Sequence, residues 1–506
     1  MINVIEWLER SALKYPDKTA FADPCDKITF ERLESVSKSV GSYLLTRKMP
    51  HGSAVAFYME KNVKAVSAMM GAVYANAFYS FIDIRQTANR ARAITDVLDP
   101  FIIVTDDANE EAVRATIDDA SRIVNIDRLI EDATSQDIDE DLLLRARSEF
   151  YDTQILYVNF TSGSTGMPKG VAVCHRSVID FIEYFTAIFG IDETDVIANQ
   201  APFDFDVSVK DFYSGLCAGA TVRLIPREYF TNPTVLIDYI CDCGATTLTW
   251  AVSAMCFVSI MNCFEYRCPD TIKRIMFSGE VMPVKQLQKW QKFIPDAMYV
   301  NLYGPTEITC NCTYYVLDRQ FEKDETLPIG VAFPNEKVFL LDDEDKLITD
   351  TGVEGEICVA GTCLALGYYK DPDKTEAAFT QNPLNKAYPE IIYRTGDLGK
   401  ICDDGNLVYT SRKDHQIKHM GQRIELGDIE ITAMSIDGVS RACCIYDHDK
   451  KKIQLFYTGD IDKDALSDEI HEKLPPFMIP GRTVKLDEFP MNKNGKIDRV
   501  ALKEMK

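Results

Sequence analysis

The sequence predicts an α/β protein with a large N-terminal part made of several subdomains and a small α+β part at the C-terminus. Amphipathic helical stretches alternate with short runs of Val, Ile and Leu through the first 300 residues, a pattern typical of α/β layers. From residue 354 to 397, short strands punctuated by glycine replace this pattern. Beyond Arg412, apolar runs at residues 424–431, 442–446 and 453–457 predict the small unit.

The composition limits the classes of function. Apolar residues make up 46% of the 506 residues and charged residues 26%, as in ordinary globular enzymes. A net charge of −23 argues against binding to nucleic acid or to an anionic membrane. The chain does not begin with a signal-peptide pattern. The uncharged residues 65–82 predict a buried helix plus strand rather than a membrane span. The 15 cysteines include no paired CxxC motifs, which argues against a zinc site. We therefore expect a cytoplasmic enzyme with reduced thiols and no membrane insertion.

A polar loop after a predicted buried strand is the first functional candidate. Residues 155–160 are mostly apolar, and the next ten contain four hydroxyls, three glycines and one lysine. Glycines let backbone N–H groups turn toward an anion, and the hydroxyls and lysine add donors, so the loop suits a polyphosphate. The spacing of Gly166 and Lys169 excludes a Walker A motif, and a Ser/Gly-rich surface turn is the alternative. The candidate ligands are Thr161, Ser162, Gly163, Ser164, Thr165, Gly166 and Lys169.

Four later motifs extend this pattern. They are Tyr303-Gly304-Pro305-Thr306-Glu307, Tyr393-Arg394-Thr395-Gly396-Asp397, residues 412–418, and Asn494-Gly495-Lys496-Ile497-Asp498. Together with the polar loop, and in this order, they resemble the adenylate-forming enzymes: acyl-CoA synthetases, beetle luciferases and the adenylation domains of nonribosomal peptide synthesis. The resemblance covers about residues 10–500, nearly the whole chain.

The resemblance implies two domains. Residues 1–411 would form the N-terminal adenylation core that binds ATP and an amino acid. Residues 412–506 would form a small C-terminal domain that carries the catalytic Lys496 and rotates between half-reactions about a hinge at Asp414. Ser411 stands where the family usually has a glycine, which is a mild departure.

The resemblance also implies roles for individual residues. Glu307 and Thr165 would hold Mg²⁺, and Asp397, assisted by Arg412, would accept hydrogen bonds from both ribose hydroxyls. Lys496 would bridge the substrate carboxylate and the α-phosphate, which suits a point charge on a long stem, although a lysine so near a C-terminus is by itself usually solvated. We expect ATP and Mg²⁺ as cofactors, with Lys496, Glu307 and Thr165 as catalytic residues. The remaining expected nucleotide contacts are Gly279, Glu280, Tyr303, Gly304 and Thr306.

Asp206 bears on the substrate. Its setting resembles the stretch where amino-acid-activating members place an aspartate that accepts the α-ammonium. Acyl-CoA synthetases and luciferases lack this residue, because a buried aspartate facing an apolar acid would be left uncompensated. The alternative is that Asp206 caps a helix. The residues that align with the pocket walls are Val207, Lys210, Trp250, Met276, Ser278, Leu302, Cys310 and Asn311.

Two of these residues make the pocket unusual. Trp250 is bulky, so an inward orientation would predict a small pocket. Lys210 is unexpected in an alanine pocket because an unpaired buried ammonium is costly, so it either reaches solvent or pairs with a polar or acidic group on the substrate. The overall likeness is nevertheless greatest to stand-alone D-alanine–carrier protein ligases, which carry a cysteine where this chain has Ser278.

The expected function is ATP-dependent activation of a small amino acid, with D-alanine as the first candidate. The product would be aminoacyl-AMP, with release of pyrophosphate, and the acyl group would pass to the phosphopantetheine thiol of a carrier protein entering near Gly421. The alternatives are a free-standing peptide-synthetase-type adenylation enzyme for another amino acid, an acyl-CoA ligase for a small or aryl acid, and a non-catalytic binding protein built on the same fold.

Overall fold

The computed structural model describes residues 1–161, 168–322, 325–413, 416–447, 450–491, 497 and 499–505, with Val500 described by its backbone alone. Within these residues the chain forms three extended β-sheets flanked by helices, followed by a small α+β unit. The predicted fold class, a large α/β part with a small α+β domain at the C-terminus, is confirmed. The boundary at residues 411 and 412 stays a prediction, and the expected hinge at Asp414 lies outside the described residues.

The first 190 residues alternate helices and strands. In chain order their elements are α1 (Ile5–Lys14), β1 (Thr19–Ala22), β2 (Lys27–Thr29), α2 (Phe30–Thr46), β3 (Ala54–Tyr58), α3 (Val63–Tyr74), β4 (Phe78–Phe81), α4 (Ala88–Leu98), β5 (Ile102–Thr105), α5 (Glu110–Thr116), β6 (Ile123–Asn125), α6 (Ile126–Thr134), α7 (Glu140–Ser148), β7 (Ile155–Thr161), β8 (Lys169–Cys174) and α8 (His175–Phe189). The uncharged stretch at residues 65–82 is the helix α3 followed by the strand β4, as predicted.

The next 140 residues continue the alternation. Their elements are β9 (Val196–Asn199), α9 (Val207–Ala218), β10 (Thr221–Leu224), α10 (Pro233–Asp242), β11 (Thr247–Ala251), α11 (Val252–Ile260), α12 (Cys263–Tyr266), β12 (Arg274–Ser278), α13 (Val284–Phe293), β13 (Met298–Tyr303), β14 (Thr313–Val316) and β15 (Val331–Ala332).

The remaining residues form the third sheet and the small domain. The third-sheet region contains β16 (Glu336–Leu341), β17 (Leu347–Ile348), β18 (Glu354–Gly361), β19 (Gly367–Tyr368), α14 (Pro372–Ala378), β20 (Phe379–Gln381), β21 (Ile391–Ile401) and β22 (Leu407–Arg412). The small domain contains β23 (Gln416–His419), β24 (Gln422–Glu425), α15 (Leu426–Met434), β25 (Val439–Asp447), β26 (Lys452–Gly459), α16 (Lys463–Lys473), β27 (Arg482–Lys485) and α17 (Arg499–Glu504).

The order of the strands brings distant motifs together. One sheet has the order β19-β8-β7-β4-β3-β5-β6, and a second has the order β15-β14-β13-β12-β11-β9-β10-β1-β2. In the second sheet β9, β11, β12 and β13 run parallel, so their carboxyl ends lie at the same edge, where ligands of α/β proteins usually bind. The third sheet joins β21 to β22 in a register that sets Asp397 opposite Arg412.

The hydrophobic core is continuous across the first two sheets, and the small domain has a core of its own. The shared core includes Phe57 from the first sheet and Val300 from the second. In the small domain, Ile424, Leu455 and Tyr457 are buried in a separate cluster. A unit with its own core can move as a rigid body against its neighbour. No helix of the described ranges is both long enough and apolar enough to cross a membrane.

Candidate active site

The centre of the site is the carboxylate of Glu307, which lies just beyond the end of β13. Glu307 is fully buried, and three side chains surround it. The hydroxyl of Tyr368 donates to Oε1 at 2.8 Å, Lys169 Nζ lies 3.5 Å from the same oxygen, and Arg423 NH1 donates to Oε2 at 2.6 Å. Burial would raise the pKa of Glu307, but the charges of Arg423 and Lys169 outweigh it and hold the pKa well below its usual range. The carboxylate is therefore ionised at neutral pH.

Glu307 was predicted to hold Mg²⁺, and its chemistry fits that ion. A carboxylate is a natural Mg²⁺ ligand, and Mg²⁺ bound with a nucleotide takes one or two protein carboxylates together with phosphate and water oxygens. In the described part of the chain, no cluster of three or more Asp, Glu, His or Cys side chains could hold a metal by itself. In this arrangement Arg423 binds Oε2, so a metal ion at Glu307 would either share the carboxylate with this guanidinium or take its place.

Asp397 lies between two donors, of which Arg412 is the one that the motifs predict. Tyr303 donates its hydroxyl to Oδ2 at 2.6 Å, and Arg412 NH1 donates to Oδ1 at 2.6 Å. Asp397 is buried, with 4% of its surface exposed. The structure thus brings together the three residues expected around the ribose and adenine, although the ligand-binding roles themselves stay predictions.

A hairpin of the small domain closes over this site. The backbone N–H of Gly421, at the turn between β23 and β24, donates to Glu280 Oε1 at 2.9 Å, and Lys451 Nζ lies 3.7 Å from Oε2. Burial lowers the pKa of Lys418 on β23, against the charges of Asp397 and Asp206. The predicted Gly421 region therefore lies at the site in this arrangement.

Sequence reasoning missed Lys418, Arg423 and Tyr368. Lys418 and Arg423 are paired across the hairpin, and this register puts both cations at the acidic site. The sequence signal was the alternation of basic and apolar residues on either side of Gly421, but only the docking of the small domain shows where these cations point. Tyr368 carries no sequence signal, because it lies 61 residues from its partner Glu307.

Most of the predicted amino-acid pocket comes together at the start of α9. Lys210 is fully buried, and its Nζ donates to Asn311 Oδ1 at 2.7 Å and to Ser278 Oγ at 3.2 Å. Asp206 is also buried, and burial raises its pKa against the hydrogen bond from Thr306 and the charge of Lys210. The remaining predicted residues in this buried region are Val207, Met276, Leu302 and Cys310.

The alternative that Asp206 serves as a helix cap finds no support. Asp206 precedes α9 with helical backbone angles, and its side chain makes no capping hydrogen bond. By contrast, Asn62 caps α3 in the ordinary way by accepting from the N–H of Ala65. The carboxylate of Asp206 is thus not used to start its own helix.

Trp250 does not belong to this pocket, and its predicted place in the wall was wrong. Successive residues of a strand face opposite sides of the sheet, and Trp250 shares its side with Phe277. Its ring packs against Phe230 and Trp290, at centroid distances of 5.5 and 6.3 Å, and its Nε1 donates to the carbonyl of Ala198 at 2.8 Å. The bulk of Trp250 therefore does not limit the size of the pocket.

Thr249 takes the place that was assigned to Trp250. It pairs with the predicted pocket residue Met276, is 2% exposed, and is hydrogen-bonded to Asp211 of α9. A count of alternating positions along β11 would have found it, had the strand's register against β12 been known.

The predicted phosphate loop is described only at its two ends. Ser162, Gly163, Ser164, Thr165 and Gly166 lie outside the described residues, as does the catalytic candidate Lys496. At the loop's ends Thr161 lies opposite Lys169 across β7 and β8. The hydroxyl of Thr161 is buried and has no hydrogen-bond partner within the described ranges, which leaves a donor at the place where a phosphate is expected.

Two glycines of the motifs allow close backbone approach. A Cβ at Gly304 would lie 2.6 Å from Asn311 Cα and 2.7 Å from the carbonyl oxygen of Cys310, so a side chain there would push the Cys310–Asn311 segment out of the pocket. Gly279 has a φ of +97°, a conformation that favours glycine, and it directs the following Glu280 toward Gly421.

Comparisons with known proteins agree on one family. The profile of the family described as AMP-binding enzyme matches residues 8–369. Bacitracin synthase 1 of Bacillus licheniformis is 31% identical over 504 residues, which are 99% of this chain but 9% of that protein. The chain spans between 8% and 45% of the length of the first peptide synthases that it matches.

One relative matches from end to end, and a solved structure shares the fold. The D-alanine–D-alanyl carrier protein ligase of Listeria welshimeri is 30% identical over 518 residues, which are 99% of both chains. The Vibrio cholerae adenylation domain AlmE, solved in complex with glycyl-adenosine-5′-phosphate, superposes with a TM-score of 0.83 at 20% identity and covers 99% of this chain and 98% of its own.

Replacing Trp250 tests its place in the core. Trp250→Phe removes the bond to Ala198 and part of the packing against Trp290, so we expect the free energy of unfolding to fall by about 1–3 kcal/mol. Urea denaturation measures this change. Val281→Ala, at a side chain that is 56% exposed, is the control and should change stability by less than about 0.5 kcal/mol. Equal stability of Trp250→Phe and the wild type would contradict this placement.

Replacing Arg423 tests the contact between the small domain and Glu307. Arg423→Met leaves a buried carboxylate with one fewer cation, so the hairpin should undock rather than the core unfold, and hydrogen exchange in residues 416–425 should rise by about tenfold or more. Lys451→Gln is the matched control, because its contact with Glu280 is longer and half-exposed. Similar exchange in both variants would mean that Arg423 does not hold the hairpin.

Proposed function

This chain belongs to the AMP-binding enzyme family, and on that premise we propose that it activates an amino acid with ATP and loads it onto a carrier protein. In the first step a carboxylate oxygen attacks the α-phosphorus of ATP, an O–P bond forms, and pyrophosphate leaves. In the second step the thiol of a phosphopantetheine arm attacks the acyl carbon, a thioester forms, and AMP leaves with the bonding electron pair. The observation that carries the proposal is the buried carboxylate of Asp206, which makes no capping hydrogen bond to its own helix and lies near Glu307.

The charges around the site support the first step. Joining a carboxylate to a phosphate brings two anions together, so cations must offset their repulsion. Lys169 is at the site, and we propose that Lys496 adds a second lysine there. Mg²⁺ held by Glu307, with Thr165 as the second proposed ligand, would neutralise phosphate charge. Asp397 and Arg412 would hold the ribose, and Tyr303 would lie against the adenine.

The docked hairpin supports the second step. In the docked arrangement Arg423 of the hairpin binds Glu307 and so offsets its negative charge. The turn at Gly421 then lies against Glu280, where the arm of a carrier protein would enter. A rotation of the small domain between the two steps would exchange Arg423 for the proposed Lys496.

The substrate is proposed to be an α-amino acid, because an ammonium is the natural partner of Asp206. A buried carboxylate with a raised pKa regains its charge when a cation binds beside it. D-Alanine is the first candidate, because a D-alanine–carrier protein ligase is similar to this chain over its whole length.

A second candidate is an amino acid with an acidic or strongly polar side chain, and Lys210 favours it. The ammonium of Lys210 is fully buried, and its hydrogen-bond partners are the neutral side chains of Asn311, Ser278 and Cys310. The carboxylates of Asp206 and Asp211 stabilise its charge through electrostatic attraction. A substrate carboxylate would add a direct ion pair to Lys210.

An exchange assay decides between these substrates. ATP–pyrophosphate exchange by the purified protein is measured against the proteinogenic amino acids, D-alanine, β-alanine and a few aryl acids. Exchange with D-alanine alone would make Lys210 part of the pocket wall, whereas exchange with an acidic or polar amino acid would make it a specificity residue. Exchange with aryl acids alone would indicate an acyl-CoA ligase instead. No exchange with any of these acids would indicate a non-catalytic protein.

Replacing Lys496 separates the two half-reactions. Lys496→Ala should lower ATP–pyrophosphate exchange by about 100-fold or more, because it removes a cation from the charged transition state. The same variant should still load a carrier protein from supplied aminoacyl-adenylate. Lys503→Ala, an exposed lysine on α17, is the matched control and should retain exchange. Normal exchange by Lys496→Ala would remove Lys496 from the proposed mechanism.

A further inference from the structure

Lys61 makes an unusual set of contacts far from the reacting atoms. It lies in the segment between β3 and α3 of the first sheet, but its ammonium reaches the second sheet. Lys61 Nζ donates to three consecutive carbonyl oxygens, those of Asn199 at 3.0 Å, Gln200 at 2.8 Å and Ala201 at 3.0 Å. It also donates to Asn199 Oδ1 at 2.6 Å. Four acceptors thus surround one ammonium.

The three carbonyls belong to the point where β9 ends and the loop to α9 begins. Asn199 is the last residue of β9, and the loop from residue 200 to 206 ends at Asp206, directly before α9. Beyond Asn199 the hydrogen-bonded pairing of β9 with β10 ends, so the carbonyl groups of Gln200 and Ala201 need another hydrogen-bond donor. Lys61 is the donor that the described part of the chain provides for both.

The side chain of Asn199 extends this contact to the other side of the loop. Its Oδ1 accepts from Lys61, and its Nδ2 donates to Asp211 Oδ2 at 2.9 Å. Asp211 lies in α9 next to the pocket residue Lys210, and it is 1% exposed. The loop that carries Asp206 is therefore tied at its start by Lys61 and beyond its end by Asp211.

The low-polarity setting makes these bonds strong. Burial lowers the pKa of Lys61 to about 7, against the charges of Asp211 and Glu60, and burial raises the pKa of Asp211 to about 7. In such surroundings a lost hydrogen bond is not replaced by water, so each carbonyl is held firmly or left unsatisfied.

We propose that Lys61 is a positioning residue for amino-acid binding: by clamping residues 199–201 it fixes the loop that aims Asp206 at the substrate ammonium. The contacts of Lys61 with Asn199, Gln200, Ala201 and, through Asn199, Asp211 form this Lys61 clamp. Among the nucleotide-site candidates that the structure describes, none is a hydrogen-bond partner of Lys61. The role in substrate binding rests on the proposed function, whereas the clamp on the loop does not.

The test replaces Lys61 by methionine, which has a similar length and no donors. In Lys61→Met, hydrogen exchange in residues 199–211 should rise, the KM for the amino acid should rise roughly 10- to 100-fold, and the KM for ATP should change less than about twofold. Lys64→Met is the matched control, because Lys64 lies one turn away on α3, is 47% exposed, and pairs with Asp127 on the surface. The control should match the wild type in all three measurements.

Two results for Lys61→Met would overturn the proposal. If hydrogen exchange in residues 199–211 of Lys61→Met is unchanged, Lys61 does not hold the loop. If hydrogen exchange is faster but the KM for the amino acid is unchanged, Lys61 does not position the substrate-binding residue. If Lys61→Met does not fold, Asn199→Leu removes the side-chain bonds to Lys61 and Asp211 but keeps the three carbonyl contacts of Lys61, and it should raise the same KM without affecting that of ATP. A wild-type protein that activates no amino acid would defeat the proposed function, and the hydrogen-exchange comparison would still decide whether Lys61 holds the loop.

Discussion

The buried charge of Glu307 constrains the whole active-site region, because a carboxylate with no exposed surface must be neutralised by its neighbours. Its neighbours come from different parts of the chain. Lys169 begins β8 in the first sheet, Tyr368 ends β19, and Arg423 lies on the hairpin of the small domain. The position of Glu307 itself is set by β13 in the second sheet. One carboxylate therefore joins units that have separate cores.

This arrangement couples the position of the small domain to the charge at the site. Arg423 binds Oε2 of Glu307, so withdrawal of the hairpin would take one cation away from this buried carboxylate. Another cation would then have to replace Arg423 if Glu307 is to stay compensated.

In the predicted amino-acid pocket, too, buried charged groups are compensated by neighbouring side chains. Asp206, Lys210 and Asp211 lie within six residues at the start of α9, and all three are buried. Lys210 is satisfied by neutral oxygens, Asp211 by Asn199 and Thr249, and Asp206 is held by Thr306. Asp206 is therefore a buried acidic group with a raised pKa, which the proposed binding of a substrate ammonium would stabilise in its charged form. The contacts of Lys61 keep the preceding loop in the place where this is possible.

The sequence by itself determined the fold class and the family likeness, and it indicated Asp397 together with Arg412, because these follow from local patterns and ordered motifs. The hydrogen bond from Tyr303 to Asp397, across 94 residues, came from the tertiary structure. The sequence also indicated Asp206 and Lys210, since charged residues in an apolar stretch stand out. Only the tertiary structure decided that Thr249 and not Trp250 faces the pocket, because the side of a sheet depends on the register between β11 and β12. Likewise, only the packing of distant segments could bring Arg423 to Glu307 and Lys61 to the end of β9. Those contacts span 116 and 138 residues or more, and no local pattern encodes a partner at such a distance.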